Sequence, residues 1–417
     1  MTNSRIRLGF VSCGYITGAH LRGLKLLKDH GYDNFEVTAL CSRTAENAQR
    51  WVERDKGPAP LPPVSAWPGD PLNVRDVWVR DFQSGTPCIY TDHREMLHDH
   101  VVDAVIVLSA VSMHHVVAAD ALSAGVHVLM EKPFTLTCRA ALRLIEQAHA
   151  QNLTLGVAEN LRYMESTRAS GWAVQSGLLG SVQMVISGGI GNVWSPDQIV
   201  AKTPWRHIKN EAGGGGTMDI GAHLFDQLRY QCGEIDQVSA LARTLEPIRY
   251  TRDELGTIST QVDCDADDTF MALLQFHTGA IGNLVFSWAG HGEHTGFEGG
   301  GAIYGTRGCL KGHRLLLDGA PPADVNQLYN AQALSEQQQH FPRGIKDGFA
   351  LELGEFFSAI EDGRQPETSG VEGLKDIAPG LAILESSTLN RPVSVLDVEE
   401  CRIESYQQSI NDHWGIR

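Results

Sequence analysis

The chain has 417 residues, 42% hydrophobic and 20% charged, with a formal net charge of −16. At the usual ~100–200 residues per domain, that length suits two or three domains with a sizeable core. The acidic balance argues against a broad nucleic-acid or anionic-membrane surface, yet a small site can still be locally positive for an anionic ligand. The eight cysteines are scattered and form no Cys-x-x-Cys pair. Zinc-ribbon and redox-motif readings therefore have no support, and buried free thiols are expected at Cys13 and Cys41. The start of the chain shows no signal-peptide core, and no run approaches the ~18 apolar residues of a membrane span, so a cytoplasmic protein is expected.

The first 160 residues alternate short apolar runs with helical patterns. Strands are predicted over 6–11, 35–41, 88–90, 103–109, 126–130 and 153–158. Helices are predicted over 17–30, 44–53, 93–98, 113–124 and 135–151. Near-continuous apolar strands alternating with helices indicate a parallel sheet covered on both faces, with ligands bound at the strands' carboxyl ends. The expectation is an N-terminal Rossmann dinucleotide-binding domain over 1–160. Six prolines crowd positions 58–71. Proline at that density continues neither a helix nor a central strand, so 56–86 reads as a long surface insertion.

Beyond residue 161 the pattern changes. Strand-like runs at 182–187, 237–242, 269–276 and 280–287 follow one another with few helices between. They predict a second domain over 161–417, an α/β unit built on a large open, mostly antiparallel sheet. Helical patterns recur at 348–361 and 371–390, where Pro379 is an expected kink.

Four places carry candidate chemistry. After the first strand, Ser12, Gly14 and Thr17 occupy the three glycine positions of the Gly-x-Gly-x-x-Gly fingerprint, with Gly18 one late. The match is degenerate, but it closes a strand and opens a helix as phosphate binding requires. The second strand ends at Ser42-Arg43, where NAD enzymes usually place an acidic residue for the ribose. Arginine there leans toward the 2′-phosphate of NADP, or toward dual use. The fifth strand runs into Glu131-Lys132-Pro133, which sets a lysine at a strand's carboxyl end; partial desolvation there would prepare it for acid/base work, and the proline is a candidate cis residue. Finally, Gly213-Gly-Gly-Gly216 leads into Asp219 and His223, four apart and on one face if a single helix carries both. The glycines read as clearance for a substrate or nicotinamide. A carboxylate beside an imidazole can act on a substrate hydroxyl. The alternative is a flexible loop before an ordinary amphipathic helix. His291, Glu293 and His294 have loop-like spacing and read as solvated side chains, so no metal site is expected.

Ser109 with His114, the block 121–133 ending in Glu-Lys-Pro, Trp205-Arg206 and the block 214–226 together resemble the Gfo/Idh/MocA oxidoreductases over nearly the whole chain. The resemblance implies a Rossmann domain followed by an α/β domain with an open sheet. It implies NAD or NADP held by Ser12, Gly14, Tyr15, Ile16, Ser42, Arg43, Ser109, His114, Glu131 and Lys132. It implies a substrate pocket lined by Arg162, Tyr163, Trp205, Arg206, Asp219 and His223. Lys132 would contact substrate and cofactor, Asp219 would orient the substrate hydroxyl, and His223 would take its proton. Three features depart from the family pattern: Ser109-Ala110 in place of Thr-Pro, Ser12 in place of the first fingerprint glycine, and the proline-rich insertion. His115, beside His114, is expected to be structural.

The expected activity is hydride transfer between nicotinamide and a secondary alcohol or ketone of a sugar, cyclitol or related polyol. The alternatives are an NAD-dependent glycosidase working by transient oxidation at C3 and elimination, and a non-catalytic sugar or cofactor sensor on the same fold. The expected partner is a second copy of the chain, in a homodimer or homotetramer formed through the C-terminal sheet. Neither nucleic acid nor membrane is an expected partner.

Overall fold

A computed structural model describes residues 5–65, 67–191, 203–253 and 255–417. The chain divides into two compact units. One comprises Met1–Phe134, Ala141–Tyr163 and Phe341–Gly373; the other comprises Thr135–Ala140, Met164–His340 and Leu374–Arg417.

The first unit carries six strands: β1 (Ile6–Val11), β2 (Phe35–Cys41), β3 (Cys88–Tyr90), β4 (Ala104–Val107), β5 (His127–Glu131) and β6 (Leu155–Ala158). All neighbours pair in parallel, in the order β3-β2-β1-β4-β5-β6. This is the Rossmann order, and it places the topological switch point between β1 and β4. β4 is buried at every residue and β1 at all but one, which accounts for their continuous apolar runs. The helices are α1 (Thr17–Asp29), α2 (Ala45–Gln49), α3 (His93–His98), α4 (Val111–Ser123) and α5 (Cys138–Ala150). Helix α2 is shorter than the predicted 44–53. It stops because Trp51 turns inward: its indole donates to Cys13 O at 3.2 Å, and its carbonyl accepts Val79 N at 2.9 Å. The helix Gly348–Asp362 also belongs to this unit, with Phe357 stacked on Phe35 at a centroid separation of 4.9 Å.

The second unit contains β7 (Val182–Ile190), β8 (Ile235–Arg243), β9 (Ile248–Arg252), β10 (Ile258–Asp263), β11 (Thr269–Phe276), β12 (Ile281–Ser287), β13 (Thr295–Gly305), β14 (Gly308–Lys311), β15 (Arg314–Leu317), β16 (Ala323–Asp324) and β17 (Val393–Ser394). Nine of them form one sheet in the order β16-β15-β14-β13-β7-β12-β11-β8-β17, while β9 and β10 pair separately. Within the nine-stranded sheet the β7–β12 pairing is parallel and the others are antiparallel. Strand β13 escaped the sequence reading because its run Thr-Gly-Phe-Glu-Gly-Gly-Gly is poor in strand-forming side chains. Strand β11 alternates strictly. Phe270, Ala272, Leu274 and Phe276 are buried, whereas Met271 and Leu273 are more than half exposed on the other face.

The helices that carry the site in this unit are α6 (Glu165–Gln175), α7 (Lys209–Ala212), α8 (Gly216–Asp219) and α9 (Gly221–Cys232). The one helix that would put Asp219 and His223 on a single face is thus two short ones meeting at Ile220. Helix α8 closes with Asp219 N on Gly215 O, and α9 opens with Leu224 N on Ile220 O. Gly221, a weak helix former, follows the junction. The helix Gly370–Leu389 runs unbroken through Pro379.

Candidate active site

The loop after β1 is shaped as a phosphate cradle. Ser12, standing where the fingerprint has its first glycine, adopts φ +73°, the left-handed conformation that glycine takes readily. Its N–H donates to Cys41 O at 2.8 Å, which ties the loop to the end of β2. A Cβ added to Gly14 would meet nothing within 4 Å, so the space over the loop is open. Helix α1 begins at Ile16 without a side-chain cap, and Thr17 Oγ1 is buried without a partner. An uncapped helix start behind an open glycine is the arrangement that takes a pyrophosphate. Ser12, Gly14, Tyr15 and Ile16 all lie on this loop and at the start of α1, and the shape of the loop fits a dinucleotide. The third fingerprint position needs correction. It is Gly18, not Thr17, that permits close approach, since a Cβ there would lie 1.9 Å from Val74 O.

At the end of β2, Ser42 is buried, with its N–H on Tyr90 O at 3.1 Å, while Arg43 is exposed. Cys13 and Cys41 are buried free thiols. Burial is the main cause that pushes Cys41 up to about 12, and it pushes Cys13 up as well.

The Glu131-Lys132-Pro133 turn has a cis peptide before Pro133. Glu131 Oε2 accepts the backbone N–H of Lys132 at 3.0 Å, and Glu131 Oε1 lies 2.9 Å from Nε2 of the fully buried His20. The expected direct cofactor contact from His114 needs revision. The ring is completely buried, with Nε2 3.0 Å from Ser109 O and Nδ1 3.0 Å from Pro133 O. Burial holds this imidazole below its ordinary range. His114 clamps the Ser109 and Pro133 turns to each other, so its place in the site is that of a support. His115 is held down to about 4, by burial first and then by His114. Arg162 and Tyr163 are also more buried than pocket-lining residues need to be. Arg162 faces Glu372 at 3.5 Å and Glu367 at 3.7 Å, and the Tyr163 hydroxyl meets Thr368 Oγ1 at 3.2 Å.

In the second unit, Arg206 joins two of the expected residues. Its guanidinium lies 4.4 Å from the centre of the Trp205 ring, and its Nε donates to Asp219 Oδ2 at 2.9 Å. His223, in the first turn of α9, is half-buried. The glycine run is corrected here. All four glycines are buried against this chain's own atoms: a Cβ on Gly213 would meet Leu136 O at 2.7 Å, on Gly214 Met218 Cγ at 2.7 Å, on Gly215 Asp267 O at 1.7 Å, and on Gly216 Phe286 Cε1 at 2.5 Å. The clearance they give is for the fold.

The residue organising this loop is Asp267, which the sequence reading did not single out. Completely buried, it accepts Gly215 N at 2.6 Å and Thr217 N at 3.0 Å, together with the Thr217 hydroxyl at 2.8 Å. Burial is the first cause that raises its carboxyl above the ordinary range, against the pull of these three bonds. The adjacent acids Asp267-Asp268 at the mouth of β11 were the available signal. His291, exposed, pairs with Glu246 at 2.7 Å.

A Rossmann sheet with an open, uncapped glycine loop at its switch point defines a dinucleotide-binding enzyme. Two family models match the chain. One, described as an oxidoreductase family with an NAD-binding Rossmann fold, covers residues 6–159; the other, the GFO/IDH/MocA C-terminal domain, covers residues 172–311. The chain belongs to the GFO/IDH/MocA oxidoreductase family. It is 27% identical to 1,5-anhydro-D-fructose reductase of Ensifer adhaerens over 73% of this chain and 83% of that one. It is 25% identical to levoglucosan dehydrogenase of Pseudarthrobacter phenanthrenivorans over 80% and 92%, and 26% identical to myo-inositol 2-dehydrogenase of Thermotoga maritima over 78% and 90%. Among solved structures, levoglucosan dehydrogenase in complex with NADH and L-sorbose shares the fold at a TM-score of 0.71, with 20% identity and 94% and 99% of the two chains covered. No described helix is long and apolar enough to cross a membrane.

Proposed function

We propose that this NAD-binding oxidoreductase transfers a hydride between nicotinamide and a secondary alcohol or ketone of a sugar, cyclitol or related polyol. The observation that carries this reading is the junction at Ile220. It places Asp219, fixed by Arg206, at the end of one helix and His223 in the first turn of the next. Relatives named for anhydrofructose, levoglucosan and myo-inositol support a polyhydroxylated substrate.

In the oxidative direction Asp219 orients the reacting hydroxyl, whose single proton is directed to His223. His223 takes the hydroxyl proton as the C–O bond becomes a carbonyl, and it returns the proton in the reverse direction. Lys132 is proposed to contact substrate and cofactor, as the family resemblance implies, and the Trp205 face to pack on the sugar ring. Bound nicotinamide supplies the acceptor or donor of the hydride at its C4. Arg43, exposed at the end of β2, is proposed to read a 2′-phosphate, giving use of NADP besides NAD. The open face of the second unit's sheet presents Met184, Leu241, Met271, Leu273 and Ile281. An apolar patch of this kind is proposed to be covered by a second copy of the chain.

The test is a panel of sugars, anhydrosugars and cyclitols with NAD and NADP, followed by absorbance of reduced nicotinamide. Net reduction of added cofactor is expected. Cleavage of a glycoside without net reduction would instead establish the elimination chemistry.

A further inference from the structure

The proline-rich insertion, described over 56–65 and 67–86, touches the dinucleotide loop. Asn73 organises its turn. Its Oδ1 accepts Val64 N at 2.9 Å, and its Nδ2 donates to Ser65 O at 3.1 Å and Trp67 O at 2.8 Å. Asp70 adds bonds from Ser65 Oγ and Leu72 N, and Arg75 ties the turn to Leu61 O. The outgoing end is stitched to the segment after α2: Val79 N donates to Trp51 O, Arg80 N to Val52 O, and Trp78 Nε1 to Arg50 O.

Two contacts carry this order into the cofactor loop. The buried Trp51 indole donates to Cys13 O at 3.2 Å, directly between Ser12 and Gly14. The Val74 carbonyl sits against Gly18, so close that a Cβ there would lie 1.9 Å from the oxygen and 3.2 Å from the Trp51 ring. In the usual fingerprint the third glycine lets the helix pack closely against the strand. Here the close approach is made to the insertion.

We propose that the insertion is a brace for the dinucleotide loop, and that Trp51, with the Val74 carbonyl seated on Gly18, is a positioning residue that holds Cys13–Gly18 in the shape that takes the cofactor's pyrophosphate. This rests on the assignment of the first unit as NAD-binding. The bond from Trp51 restrains the peptide that precedes Gly14. Losing it lets the loop sample shapes in which its N–H groups no longer converge, and a bound dinucleotide must then restore the order at the expense of its own affinity.

Titration calorimetry with NADH and NADPH on the full chain tests the proposal. Trp51→Phe keeps an aromatic ring at the position but loses the indole N–H that bonds Cys13 O, along with part of the buried bulk. It is expected to raise the dissociation constant roughly three- to ten-fold, the worth of one buried hydrogen bond. Thr154→Val, which removes a buried side-chain bond to Arg364 O at the amino end of β6, outside the insertion and the dinucleotide loop, serves as the structural control. It is expected to lower thermal stability comparably while leaving cofactor affinity within about twofold. Gly18→Ala should weaken binding more than Trp51→Phe, and Asn73→Ala should soften that loss, because a loosened insertion can yield to the added methyl. Unchanged affinity in Trp51→Phe, equal losses of affinity in Trp51→Phe and Thr154→Val, or strict additivity of Gly18→Ala with Asn73→Ala would each overturn the brace. Failure of the unsubstituted protein to bind either dinucleotide would overturn the cofactor assignment along with it, a result distinguishable from all the others.

Discussion

Glu131 and His20 face one another at 2.9 Å beneath the turn that carries Lys132, and the other Glu131 oxygen accepts the Lys132 backbone N–H. The carboxylate thus fixes the residue proposed to contact substrate and cofactor to a completely buried ring on α1. Lys132→Ala and His223→Ala should each lower kcat by about 10²–10⁴-fold, the usual worth of a positioned acid/base group, with NADH affinity little changed. Glu131→Gln should fall between these variants and the unsubstituted enzyme. Steady-state kinetics on the substrate found in the panel decide it, and wild-type turnover in Lys132→Ala or His223→Ala removes the residue from the mechanism.

Behind His20 lies a second carboxylate. Glu352 is fully buried, its Oε1 is 3.9 Å from His20 Nδ1, and neither of its oxygens has a hydrogen-bond partner. Burial first, then Glu131, Glu159 and Asp347, push this carboxyl well above the ordinary range. The folded protein therefore holds a proton that the unfolded chain releases near pH ~4.3. The stability linked to this group is fully present below that pH and declines as pH rises toward the folded value, by at most about 1.4 kcal/mol per pH unit. Glu352→Gln should match the unsubstituted protein in acid and exceed it at alkaline pH. Calorimetric melting at about pH 5 and about pH 8 checks the sign, since burial and the three neighbouring carboxylates all raise this group; a difference that does not grow with pH would refute the assignment.

Arg43 offers a test of cofactor choice. Exposed at the end of β2 beside buried Ser42, it is the cation nearest in sequence to where the adenosine ribose lies in this fold. Arg43→Ala should raise the dissociation constant for NADPH about tenfold or more, as loss of a charge-assisted pair to phosphate does, and that for NADH little. Equal effects on both would end the case for phosphate recognition.

Ser12 holds φ +73° where a glycine would be unstrained. Left-handed backbone costs a non-glycine residue roughly 1–2 kcal/mol, partly offset by the extra chain entropy that glycine loses on folding. Ser12→Gly should therefore raise stability by up to about 1 kcal/mol and leave NADH binding intact. Loss of cofactor binding would show instead that the Ser12 hydroxyl contacts the dinucleotide.

Much of this was legible in the chain. Strands β1, β2 and β11 lie where their apolar runs placed them, because burial on one or both faces writes a pattern of period one or two; β3 also lies over its predicted range, although none of its three residues is buried. The Glu131-Lys132-Pro133 turn and the Asp219/His223 pair were visible as motifs. What stayed hidden depends on contacts between segments distant in sequence. The reason for Gly213–Gly216 is Asp267, Leu136 and Phe286; the reason for Gly18 is Val74; and the partner of Asp219 is Arg206. A local pattern shows that a glycine is needed without showing which neighbour requires it. Buried His114 and Tyr163 have the same origin: motif membership identified them, and only packing shows that their polar atoms face the protein's own backbone and hydroxyl groups.

Asp267 gives the sharpest test of how the fold serves Asp219. Its carboxylate takes three donors from the start of α8, a four-residue helix whose last member is Asp219. A helix that short has too few internal bonds to hold itself. Its orientation is set by Asp267 at one end and by the Arg206–Asp219 pair at the other. Asp267→Asn keeps the size of the side chain but turns an NH₂ toward at least one of those donors, leaving buried polar groups unmatched. The expected loss is about 1–3 kcal/mol of stability per orphaned group. Activity should fall further than stability explains: at temperatures where the variant is fully folded, kcat should drop, whereas NADH affinity, a property of the other unit, should hold. Arg206→Lys should behave alike at the opposite end, since an ammonium cannot reproduce the guanidinium's position over Trp205 and against Asp219. Calorimetry, NADH titration and kinetics on the same preparations separate the two effects. An Asp267→Asn enzyme with unaltered kcat would mean that α8 keeps its place without the anchor.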